Sequence, residues 1–99
     1  MIRQNEFGSA LREARQILDK AQTDVGPNQA HVSRIEKGTK AASLKGIDEI
    51  AQNLGLHPIT LLFRSYAATY GESCALLKLM KHELKDVYGI VLEEGEREG

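Results

Sequence analysis

Cysteine occurs once in 99 residues, at Cys74, so no intrachain disulfide can staple this chain. That thiol and the three scattered histidines, His31, His57 and His82, lack the clustered spacing of a structural zinc site. No apolar run approaches the roughly 20 residues that a membrane span requires. Met1 to Phe7 (MIRQNEF) is too polar to open a signal peptide, so a cytoplasmic protein with no membrane contact is expected. A Gly-rich strand-to-helix loop is missing, which removes the usual nucleotide fingerprints, and no cofactor or metal is expected. Catalytic groupings are equally thin. Cys74 paired with His31 or His82 would still need an orienting third group, and beside Ala75 and Leu76 it reads as a small buried thiol. Glu93 and Glu94 oppose no second carboxylate, and a charged tail explains them. The chain is therefore not expected to be an enzyme. A dominant charge is absent too: the formal net charge is -1, so any nucleic-acid surface must come from local arrangement.

What remains is an ordinary globular composition, with 41% hydrophobic and 27% charged residues, in a chain with room for one small core. The charge is unevenly placed. Residues 1–40 hold seven Lys/Arg against five Asp/Glu, and residues 41–99 hold six against nine. This is the direction expected if one end faces phosphate and the other a partner or solvent. The segment from Glu93 to Gly99 carries four Glu, one Arg and two Gly, and is expected to fray.

Apolar spacing predicts helices almost throughout. Phe7, Leu11, Ala14, Leu18 and Ala21 share one face of a helix from about Asn5 to Ala21, with Asn5 or Ser9 as its cap. After Gly26-Pro27, Asn28 is suited to cap a short helix over Ala30 to Lys37, with Val32 and Ile35 inward and Gly38 as its stop. Ser43 caps a third helix whose stripe is Leu44, Ile47, Ile50, Ala51 and Leu54, closed by Gly55. Pro58 starts a fourth, with His57 at the cap position, Ile59, Leu61, Leu62 and Tyr66 inward, and Gly71 at its end. A fifth should run from Glu72 or Ser73 to Val87 or Tyr88 with Leu77, Met80, Leu84 and Val87 on one side. Residues 89–94 read equally as more helix or as a short extended tail.

The informative stretch is Asn28 to Lys40, NQAHVSRIEKGTK. Val32 and Ile35 suffice to hold a short helix, leaving Gln29, Ala30, His31, Ser33, Arg34 and Lys37 for another surface. Such a helix fits the DNA major groove, where Gln addresses adenine and Arg addresses guanine or phosphate. Thr39 and Lys40 follow it, within reach of backbone phosphate. Any solvated helix face offers a similar list, so the bland reading stands beside this one.

The chain also resembles the XRE family of helix-turn-helix proteins, typified by phage Cro and lambda repressors. FGSALREAR is similar to the family's first helix, VSRIEKG to the end of its recognition helix, and SLKGIDEIAQNLGLHPITLL to its fourth helix and the entry to the fifth. Together these span about residues 7–63. The resemblance implies a structural ion pair between Arg15 and Glu36. It also implies that Gln22, seven residues after Arg15, touches phosphate and braces Gln29. One feature departs from the family: between Gln22 and Gly26 stand only Thr23, Asp24 and Val25, about one helical turn too few. Either the second helix is cut to a single turn, with Val25 taking the usual apolar contact, or the chain takes another route.

The expectation is an all-α, compact lambda-repressor-like helix-turn-helix domain of four to five helices over residues 1–70. A C-terminal helix and acidic tail over 71–99 would serve dimerisation through Leu77, Met80, Leu84 and Val87. The expected function is sequence-specific binding of double-stranded DNA as a homodimeric transcriptional regulator of repressor type. DNA would be met by Gln22, Asn28, Gln29, His31, Ser33, Arg34, Lys37 and Lys40. The alternative is a protein-interaction or antitoxin-like module whose C-terminal segment binds a second protein, with DNA binding secondary or lost.

Overall fold

The computed structural model describes residues 4–70 and 73–92, with the side chains of 68–70, 73 and 74 left aside. The expectations for Gly71, for the Cys74 thiol and for the segment from Glu93 onward lie outside the described residues. Among the described residues all regular structure is helical: α1 (Gln4–Ile17), a 3-10 turn (Gln22–Asp24), α2 (Gln29–Lys37), α3 (Leu44–Leu54), α4 (Pro58–Tyr70) and α5 (Ser73–Tyr88). The protein is all-α, as its apolar spacing predicts. No helix among these residues is long and apolar enough to cross a membrane.

Several ends are set by local chemistry. Asn28 Oδ1 accepts from His31 N at 2.7 Å, and Ser43 Oγ accepts from Gly46 N at 3.0 Å. Each cap of this kind contributes about 1 kcal/mol. His57 Nδ1 accepts from Ile59 N at 3.1 Å, so the imidazole caps α4 ahead of Pro58. At the far end of α2, Gly38 takes the left-handed conformation at φ 79°, and Thr39 N closes on Arg34 O at 3.0 Å.

The end of α1 departs from the sequence reading. The helix stops at Ile17, four residues before Ala21, and Leu18 and Ala21 lie at the surface. Asp19 adopts φ 57°, while Lys20 N bonds Arg15 O and Asp19 N bonds Gln16 O, the double closure of a left-handed helix end. Asp tolerates that conformation through its short polar side chain, so no glycine marks the stop. Asn5 and Ser9 lie inside the helix rather than capping it.

Phe7 and Leu11 of α1, Val25, Val32 and Ile35 of the turn and α2, and Ile47, Ile50, Ala51 and Leu54 of α3 meet Leu61 of α4 in one core. Each fully buried aliphatic side chain contributes roughly 1.5 to 3 kcal/mol before ordering costs. Val25, with no exposed surface, takes the apolar role expected of it. Its carbonyl accepts from Asn53 Nδ2 at 2.7 Å, which ties the short turn to α3. Two further expected core members are exposed. Leu44 is the first residue of α3 and overhangs the core, and Ile59 stands two residues from Leu61, on nearly the opposite side of α4.

That opposite side defines a second layer. Ile59, Leu62, Phe63 and Tyr66 line an apolar groove of about 220 Å³ together with Leu76 and Met80 of α5. Leu76, which the predicted stripe omitted, is the buried anchor of α5; Met80 and Leu84 are half-buried, and Leu77 and Val87 lie at the surface. The radius of gyration is 14.9 Å, against the 13 Å or so typical of a chain this long, and α5 contributes no described residue to the main core. Beyond α5, Gly89 turns left-handed at φ 70°, and Ile90, Val91 and Leu92 follow without regular structure.

Candidate nucleic-acid interface

The seam between α1 and α2 starts from a backbone approach. A β-carbon at Gly8 would run into the carbonyl oxygens of Ile35 and Glu36, so only glycine lets the helices come this near. The approach brings Glu36, on the last turn of α2, under Arg15, on the last turn of α1. Arg15 Nε donates to Glu36 Oε2 at 2.7 Å and Arg15 Nη2 to Glu36 Oε1 at 3.1 Å. The side chains are 15% and 4% exposed. These hydrogen bonds raise the pKa of Arg15 above its ordinary value, against the opposing effect of partial burial. Arg15 Nη1 also donates to Lys20 O at 3.0 Å, so the left-handed turn at Asp19 supplies a further anchor for the guanidinium.

The second helix suggested by the resemblance is here the 3-10 turn alone. Asp24 Oδ2 accepts from Ala21 N at 2.8 Å, and Val25 N bonds Gln22 O at 3.2 Å, giving a single tight turn in place of a helix. This is enough to deliver Gln22 to the seam. Gln22 Nε2 donates to Glu36 Oε1 at 3.0 Å, and Gln29 Nε2 donates to Gln22 Oε1 at 3.3 Å. The direction of this relay follows from its origin. A carboxylate only accepts, so Gln22 must turn its amide nitrogen to Glu36 and its oxygen to Gln29. Gln29 then contributes one N–H and keeps its other N–H and its Oε1 outside the relay. One donor and one acceptor on a single amide is the pair that the N7 and N6 edge of adenine requires.

Around α2, Val32 and Ile35 are buried and Glu36 is turned into the seam, which leaves Ala30, Arg34 and Lys37 on the outward side, all exposed. Gln29 is exposed and Ser33 half-buried on the flank nearer α1. His31 lies on the other flank. It is half-buried and lines a hollow of about 380 Å³ with Gly26, Pro27, Glu49 and Asn53, facing α3 rather than the outward side. Asn28 is occupied as the cap, and Lys40 is exposed in the loop beyond Gly38. The structure thus groups Gln22, Gln29, Ser33 and Lys37 along the seam, leaves Arg34 on the outward side, and turns His31 toward α3.

Sequence reasoning missed Arg12. It lies one turn before Arg15 on α1 and shares a polar hollow with Arg15, Gln22, Ser33, Glu36 and Lys37. The three-residue spacing from Arg15 was the available signal, since such pairs share a helix face. No family model matches the chain, and no curated protein matches it at a significant level.

Proposed function

We propose that this chain binds double-stranded DNA sequence-specifically as a homodimeric transcriptional regulator of the XRE helix-turn-helix type, with α2 in the major groove. The observation that carries this reading is the relay from Arg15 through Glu36 and Gln22 to Gln29. It presets one amide beside an outward surface bearing Arg34 and Lys37. Gln29 and Arg34 would address base edges, and Lys37, Lys40 and the N-terminus of α2 at Asn28 would meet backbone phosphate. One short helix reads only a few base pairs, so two copies set about 34 Å apart would read two half-sites. The exposed Leu77 and Val87 and half-buried Met80 and Leu84 of α5 suit the contact between copies. A regulator of this kind works in the cytoplasm and acts as a repressor by covering a promoter. The interaction-module reading has one observation of its own, the apolar groove between α4 and α5.

The test is selection of bound duplexes from random DNA by the full chain. The expected product is a pair of related half-sites about 10 base pairs apart, centre to centre. Gln29→Ala and Arg34→Ala should each lose about 1 to 3 kcal/mol of discrimination between the selected and a scrambled duplex, with circular dichroism unchanged. Enrichment of no duplex would reject the DNA reading in favour of the interaction module.

A further inference from the structure

The hollow beside the relay has a composition that the relay itself does not need. It measures about 210 Å³ and is lined by Arg12, Arg15, Gln22, Ser33, Glu36 and Lys37, three cations against one carboxylate. The carboxylate is spent: Glu36 Oε1 accepts from Arg15 and Gln22, and Oε2 from Arg15. Arg15 is spent with it. The unbalanced charge therefore belongs to Arg12 and Lys37, both exposed, reaching the hollow from two different helices, with the Ser33 hydroxyl and the Gln22 amide at its polar wall.

We infer that this hollow seats one backbone phosphodiester of the duplex, gripped by Arg12 from α1 and Lys37 from α2, with the Ser33 hydroxyl as a neutral donor. The assignment rests on the DNA reading above and adds a residue, Arg12, that the resemblance did not supply. It also gives Ser33, expected only to meet DNA, a contact with phosphate. A tetrahedral anion calls for several donors converging from separate elements, and the guanidinium fork and ammonium provide them. A phosphate held between α1 and α2 adds affinity that is independent of base sequence, while Gln29 and Arg34 carry the preference between sequences.

The experiment titrates the full chain against the selected and the scrambled duplex over about 50 to 200 mM salt, where counterion release dominates the slope. Arg12→Gln should weaken both duplexes by the same factor, leaving the preference between them unchanged, and flatten the dependence of log K on log salt by about 0.9. Lys85→Gln, which removes the same charge from α5 far from the hollow, should leave the slope as it is. An unchanged slope for Arg12→Gln, or a lost preference with an intact slope, overturns the phosphate seat while leaving the DNA reading in place. Should the native chain bind no duplex, the DNA reading falls by itself, and pyrophosphate alone tests the hollow. Shifts of the Lys37 and Gln22 side-chain resonances that are present in the native chain and lost in Arg12→Gln would keep it as a site for a free phosphate anion. No shift overturns it.

Discussion

The seam between α1 and α2 and the seam between α4 and α5 are built from opposite materials. At the first, polar side chains are consumed in directional bonds, with both oxygens of Glu36 engaged and the amides of Gln22 and Gln29 oriented in turn. At the second, Leu76 and Met80 lie against Ile59, Leu62, Phe63 and Tyr66 in an apolar groove. Hydrogen bonds specify an angle and a register, whereas apolar burial is non-directional and scales with area. The first seam can therefore hold a reading surface in one geometry. The second can be extended by any matching apolar face, and Leu77, Val87, Tyr88, Ile90, Val91 and Leu92 remain at the surface to extend it.

The largest expected effect breaks the directional seam. Glu36→Ala leaves the Arg15 guanidinium partly buried without its carboxylate and should cost about 3 kcal/mol in urea unfolding. The same change releases Gln22 and Gln29, so it should lower DNA preference even at temperatures where the fold survives. If stability held within about 0.5 kcal/mol, the pair would be no more than an exposed ion pair.

Next come two neighbours on α5 that sharpen the apolar side of the comparison. Leu76→Ala should cost about 2 to 3 kcal/mol, because it empties the anchor that is buried among the described residues of that helix. Leu77→Ser combined with Val87→Ser should shift the stability of the monomer by no more than about 0.5 kcal/mol. In sedimentation velocity the same double variant should run as a monomer with native helicity. A variant that stays dimeric places the contact between copies elsewhere.

The smallest effect lies in a surface pair that links the two regions. Arg64 Nε bonds Glu13 Oε1 at 2.9 Å, with side chains 54% and 46% exposed. The hydrogen bond from Arg64, and then its charge, lower the Glu13 pKa. A depressed carboxylate stabilises the fold fully above its unfolded value, about 4.3, and loses that contribution as pH falls through the lower folded value. Urea midpoints below about pH 4.3 should therefore fall more steeply for the native chain than for Glu13→Gln, and salt should shrink the difference.

Much of this architecture was legible from short-range chemistry. Asn28, Ser43 and Pro58 mark helix starts, Gly38 and Gly55 mark ends, and the apolar steps Val32–Ile35 and Ile47–Ile50–Leu54 mark the inward faces. Those features act within one or two helical turns, the range over which a sequence displays its own partners. The end of α1 escaped this reading because Asp19 holds a conformation usually marked by glycine. Ile59 escaped it because α4 has apolar residues on two sides, and periodicity cannot say which side meets which neighbour.

The candidate site divides in the same way. Residue types and spacing along α2 determined which side chains could turn outward: Gln29, Arg34 and Lys37 are separated from Val32 and Ile35 by the helical period alone. Tertiary structure decided the rest. Only the approach of α1 to α2 at Gly8 sets Arg12 beside Lys37, only the packing of α3 gives His31 a hollow away from the outward side, and only the turn at Gln22–Asp24 delivers Gln22 to Glu36. The physical reason is range. Caps and periods are contacts between residues a few positions apart, while a charge cluster or an oriented amide depends on groups that meet only after distant helices have packed.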